Sequence, residues 1–395
     1  MPKSRGRKQK QTGTGSGPRP GGPGAPYLRR MAGLVRLADE AEARGDAAAT
    51  LEVISRQPLD ERGELFWRHW RIARLEQLIV LEPFLPRWVV SRWILEQAAQ
   101  ACDPTTRRGR AFARDVTVEL RGGRDALPGV DEIDALSRVA DDDWVYRQLY
   151  LYDQGGLAAF LRHGAAADLV AGADRIQEWV SAPMRALRFV RREPALLHWA
   201  DVATGAPVGV PDLGAAALLL PGETVLGRLV PTSDGPMLEG TPLPVPADVA
   251  AAVAADPGDW VGALRRWEPG EEGRHTAIMR GNHLLTDVPE VVWEYAVLRW
   301  AEVLGAPLTP GVLAESGAAL VRAALRGELS TGVDDAEVDL WPCVAAVLCS
   351  PPMIERVADR IRPEDAPGLL ALADRLFGPA AAICRELATA ARAAA

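Results

Sequence analysis

Lysine is nearly absent: the 395 residues contain only Lys3, Lys8 and Lys10. All three precede the first apolar run, so none can follow a Gly-rich loop after a buried strand, and a P-loop is excluded. The strand lysine of protein kinases is excluded for the same reason. So are a Schiff-base lysine and an S-x-x-K nucleophile within a folded domain. Cysteine is also scarce, and Cys102, Cys343, Cys349 and Cys384 include no C-x-x-C pair. Thiols scattered in this way are expected to be buried and free, not held by zinc or in disulfides. The sequence has no H-E-x-x-H, no G-x-S-x-G, no EF-hand loop and no G-x-G-x-x-G after a strand. Long apolar runs are missing too. The most apolar segment, 78–90, is broken by Glu82, Pro83, Pro86 and Arg87, whereas a spanning helix needs about 20 apolar residues. No apolar stretch follows the basic N-terminal residues, so no signal peptide is expected and the location is read as cytoplasmic.

What is present divides sharply by charge. Residues 1–26 carry six positive charges, no acid, seven Gly and five Pro. Such a stretch buries too little surface to offset its ordering entropy and is expected to be a disordered tail. The net charge of −8 leaves −14 on residues 27–395. An acidic body repels phosphate backbones at long range, so weak RNA contact is assigned to Lys3, Arg5, Arg7, Lys8 and Lys10 of the tail. With 48% apolar residues the remainder can build a substantial core.

The periodicity predicts a mainly α protein with a small β insert. Residues 27–185 read as a helical domain, 186–246 as a small β module of four or five strands, and 247–395 as a second helical domain. Within 31–58, a helix with Leu34, Val35, Leu37, Ala38 and Ala41 meets a Gly45–Asp46 turn, and a second helix closes at Pro58. This hairpin resembles one tetratricopeptide unit, without a 34-residue recurrence that would imply an array. A helix over 61–80 is expected to hold Leu65, Phe66, Trp67, Trp70 and Ile72, with Trp88, Trp93 and Ile94 on the next. Aromatics at helical spacing form either core or a partner surface. On the second reading Trp67, Trp70 and Trp88 are the candidate anchors. Asp141, Asp142 and Asp143 are read as an N-cap and first turn. Strands are expected at 195–202, 208–210, 224–230 and 237–245, with Pro231, Pro242, Pro244 and Pro246 favouring edge positions.

One polar cluster has the residue types that chemistry needs: His275, His283, Asp287 and Glu290. Two imidazoles near carboxylates could ligate a divalent metal or shuttle protons, although a solvated loop leading into a helix explains the same residues. His198 and Asp201, three apart on a strand, point to opposite faces and make no catalytic pair. The combination of a basic Gly/Pro tail, a Trp-rich helical body and a β insert resembles conserved proteins of high-GC bacteria that carry no assigned activity. The leading functional reading is a non-enzymatic interaction or scaffold protein without a cofactor. The alternatives are a nucleic-acid-associated protein that uses its tail and a metal-assisted hydrolase built on His275 and His283.

Overall fold

Gly45, with φ of +80°, turns the first helix, α1 (Ala25–Ala43), into α2 (Ala47–Ser55). The Asp46 carboxylate caps α2 by accepting from the Ala49 amide at 2.8 Å. These features come from a computed structural model that describes residues 25–60, 63, 65–101, 103–127, 132–267, 284–307, 309–329 and 338–394. The basic tail, apart from the first residues of α1, lies outside the described residues, as does Cys102.

The helix expected over 61–80 starts only at His69, as α3 (His69–Val80). Pro58 ends α2, and the chain then returns extended, with Leu59 bridging Leu65 and the Phe66 amide donating to the Pro58 carbonyl. The Trp67 indole donates to the Gln57 carbonyl at 2.9 Å. Trp67 and Trp70 therefore do not share a helix face. The next helix, α4 (Arg87–Gln100), follows Pro86 and is buried on nearly every side, including its polar Ser91, Arg92, Glu96 and Gln97. The following helices are α5 (Arg107–Leu120), α6 (Glu132–Asp142), α7 (Trp144–Gln148), α8 (Gly156–His163), α9 (Ala167–Gly172) and α10 (Ile176–Trp179), of which α6, α8 and α9 pack on α4 and α5 packs on α6 and α7. Of the three consecutive acids, Asp143 is the cap, accepting from the Val145 and Tyr146 amides. Asp141 and Asp142 instead end α6.

The sheet contains β1 (Met184–Glu193), β2 (Leu196–Asp201), β3 (Pro207–Pro211), β4 (Thr224–Thr232), β5 (Gly235–Leu238) and β6 (Leu243–Val245). The order is β3-β2-β1-β4-β5, every pair is antiparallel, β6 also pairs with β4, and β3 comes round against β5. The expected half-barrel is thus a nearly closed sheet with a core of its own, formed by Leu187, Phe189, Leu197, Trp199, Val210 and Val225. The opposite face, with Met184, Ala186, Leu226, Val230 and Met237, joins the main core. The first strand, β1, was not expected, because Arg185, Arg188, Arg191 and Arg192 interrupt its apolar pattern. The strand expected over 237–245 is two, parted by a turn.

After the sheet come α11 (Ala247–Ala255), α12 (Trp260–Arg266), α13 (Glu290–Leu304), α14 (Pro310–Leu325), α15 (Trp341–Leu348), α16 (Pro351–Ala358), α17 (Ala366–Ala373) and α18 (Gly378–Ala393). Small residues let them approach. A Cβ on Gly317 of α14 would stand 2.9 Å from the Met353 sulfur of α16. Cys343, Cys349 and Cys384 are free and buried, and burial pushes each thiol up to about 12. No helix among the described residues is long and apolar enough to cross a membrane.

Arg192 ties the sheet to the segment that leads into α15. Arg192 of β1 bonds Asp212 at 3.1 Å and pairs with Asp339 at 2.9 Å. Burial pushes the Asp212 carboxyl up to about 6, Arg192 pulls it down and Asp339 pushes it further up. A carboxyl whose folded pKa exceeds its unfolded value contributes stability below pH 4 that is lost as pH rises through 6. Asp212→Asn removes this titration. Relative to wild type it should gain about 3 kcal/mol between pH 4 and pH 7. Urea melts of both proteins across that window check this; a difference that is flat or falls with pH counts against it.

Candidate functional site

Two of the three aromatic candidates are core. Trp67 is 4% and Trp88 1% exposed, and Trp70 is half-buried beneath the Arg74 guanidinium, 5.0 Å from its ring centroid. The expected partner surface of Trp67, Trp70 and Trp88 does not form, because two of the three rings are sealed by packing. His275 and His283 lie outside the described residues. Asp287 is no solvated loop acid. It is buried and paired with Arg92 at 3.0 Å, and burial pushes its carboxyl up against the pull of that guanidinium. Glu290 stands in the first turn of α13. Among the described residues no group of three or more His, Cys, Asp or Glu is placed to hold a metal ion. The tail residues Lys3, Arg5, Arg7, Lys8 and Lys10 lie outside the described residues.

Sequence reasoning missed a seam of buried charge between the N-terminal helices and the sheet. Glu42 of α1 accepts from Arg71 Nε and from the Trp93 indole, both at 2.8 Å. Glu96 of α4 pairs with Arg74 at 3.2 Å and with Arg147 at 2.6 Å. Gln148 donates to Glu239 and accepts from Arg228 Nε at 2.8 Å. Arg228 also bonds Asp153 at 2.8 Å, and the other oxygen of Asp153 accepts from the Trp260 indole at 2.8 Å. Burial works against the charge of Arg147, but Glu96 and Glu239 outweigh it and its pKa is raised. Burial pushes the Tyr152 phenol well above its ordinary range, and Glu239 adds to the shift. Burial lowers the Arg74 pKa against the pull of Glu42 and Glu96, while Tyr152 is held protonated and Arg147 charged, so these pairs bind the layers together.

One end of this seam floors a cleft of about 630 Å³ beneath α1. Met31, Val35, Phe66 and Phe160 form apolar walls, and Asp39, Glu42, Arg71 and Gln97 form a polar end. The C-terminus of α1 is fixed by the Ala166 amide, which donates to the Ala43 carbonyl at 2.8 Å. Arg71 spans the floor, bonding both Asp39 and Glu42 at 2.8 Å. Burial opposes its charge, the two carboxylates overcome that, and its pKa is raised. Gln97 is buried, and its side-chain amide nitrogen has no acceptor. The volume lies in the range of binding pockets. The apolar spacing of α1 was the one signal of this wall in the sequence. The facing residues come from three distant segments.

No protein-family model matches the chain, and searches of curated proteins and of solved structures found no match.

Proposed function

We propose that the protein is a non-enzymatic interaction protein of the cytoplasm that holds a segment of a protein partner in the cleft beneath α1. The cleft itself carries this reading. It follows α1 from Met31 to Ala43, about 18 Å of helix, which suits a stretch of peptide. Its apolar walls, with Met31, Val35, Phe66 and Phe160, take large side chains. Asp39, Glu40 and Glu42 outnumber Arg36 and Arg71 along the lining, which favours a basic residue in the partner. The floor carboxylates are tied to Arg71, an arrangement for recognition more than for turnover. In the cytoplasm the buried thiols stay reduced.

Selection of a random peptide library on the full chain tests this. Enriched peptides should combine large apolar residues with Lys or Arg. Val35→Asp should weaken them about tenfold or more, equivalent to about 1.4 kcal/mol. Glu40→Arg, at an exposed rim position, should keep the melting temperature and reduce binding of the basic peptides. Enrichment without basic residues, or peptides indifferent to both substitutions, overturns the reading.

A further inference from the structure

The helix α13 carries apolar residues on two faces. On the inner one Val292, Ala296, Val297 and Ala301 are buried in the core. On the outer one Val291 is 59% and Leu298 49% exposed, with the half-buried Tyr295 between them. At about 100° per residue these three fall within about 60° of arc and make a stripe two turns long. Their spacing, four residues and then three, is the step of a coiled-coil seam. Exposed charges border the stripe. Glu294 lies about 40° beyond Leu298 on one side, and Arg299 about 40° beyond Tyr295 on the other. Among the described residues neither has an ion-pair partner, and nor has the exposed Glu302, which takes the next position of the seam. The fold therefore uses neither the stripe nor its flanking charges.

We propose that two copies of the chain pair through α13, with the two helices parallel about a two-fold axis. Val291, Tyr295 and Leu298 of each copy then meet their counterparts across the seam. In a parallel pair, a flanking residue on one side faces the opposite flank of the second helix, five positions further on. Glu294 and Arg299 are five apart and on opposite flanks. Glu294 thus meets Arg299 of the second copy, and the axis makes the same pair twice. An antiparallel pair would set the acidic flank against the acidic and the basic against the basic. The pattern of charge is complementary to its own copy, and that singles out a second chain as the occupant. The seam is short, well under the ~800 Å² per partner of a standard interface, and Glu302 of each copy faces the other at its end. The dimer is accordingly weak and reversible. No residue of the cleft beneath α1 takes part.

The test is sedimentation velocity of the full chain as a concentration series, which should show a monomer and a dimer in exchange. Leu298→Asp, at an exposed position, should keep the melting temperature and weaken association about tenfold or more. Glu294→Arg and Arg299→Glu should each weaken it about fivefold or more, because the axis turns one substitution into two repelling pairs. An equimolar mixture of these two variants should restore the dimer, since both pairs between unlike chains attract again. Glu302→Leu should tighten the dimer about fivefold or more, by removing a like-charge contact and lengthening the seam. Three outcomes overturn the proposal: a monomer at every concentration, a dimer indifferent to Leu298→Asp, or charge variants that associate as wild type or whose mixture stays monomeric.

Discussion

Arg228→Ala should destabilise the protein by about 2–4 kcal/mol, the cost of leaving buried polar groups without their hydrogen-bond donor. The side chain is 4% exposed, and it bonds Gln148, Asp153 and the Ala182 carbonyl while lying 4.3 Å over the Tyr152 ring. Removing it costs the partly exposed Asp153 one ion pair. It also leaves Gln148 and the Ala182 carbonyl without a donor. Arg228→Lys should recover little, because a single ammonium cannot reproduce three bonds in the guanidinium plane. Chemical denaturation of both variants checks this. A loss under 1 kcal/mol for Arg228→Ala would mean that water replaces the guanidinium and that the seam is not sealed.

Trp88→Ala should cost a similar amount, about 3–5 kcal/mol, for a different reason. The indole on α4 stacks on Phe377 with ring centroids 6.5 Å apart, and the Arg92 guanidinium covers it at 5.3 Å. Gly378, the first residue of α18, lies against the same ring. The substitution opens a cavity between the fourth helix and the last, so limited proteolysis of the variant should release α18 early. Trp70→Ala should cost less, about 1–2 kcal/mol, because its ring is half-buried and its main partner is the Arg74 cation. A stable Trp88→Ala protein that had lost a partner would return that ring to an interface.

Helices and the β insert were legible because Gly, Pro and apolar periodicity mark their limits. The unforeseen strand β1 shows where that signal fades. Arg185, Arg188 and Arg191 sit on exposed positions of the strand and Arg192 on a half-buried one, so alternation is present in burial and weak in hydropathy. The start of α3 was hidden for another reason. Trp67 satisfies its indole on Gln57 across a turn, a contact that local spacing does not encode. The charge seam was illegible in principle. Arg92 and Glu96 look like the wet face of an amphipathic helix, and only a layer on each side of α4 makes them internal. Asp287 was singled out as a site acid, but its ion-pair partner stands 195 positions earlier. The cleft beneath α1 follows the same rule: one wall is readable on one helix and the opposite wall is assembled from remote segments.

The stacking of Trp88 on Phe377 sets the order of events during synthesis. The fourth helix leaves the ribosome with its largest apolar ring uncovered, and almost three hundred residues must be made before the lid on it exists. The Ala195 amide waits similarly for the Arg375 carbonyl. Closure therefore comes last and joins distant parts of the chain, which makes folding slow and leaves nascent or truncated chains sticky. A cell that makes this protein needs something to shield α4 until α18 arrives.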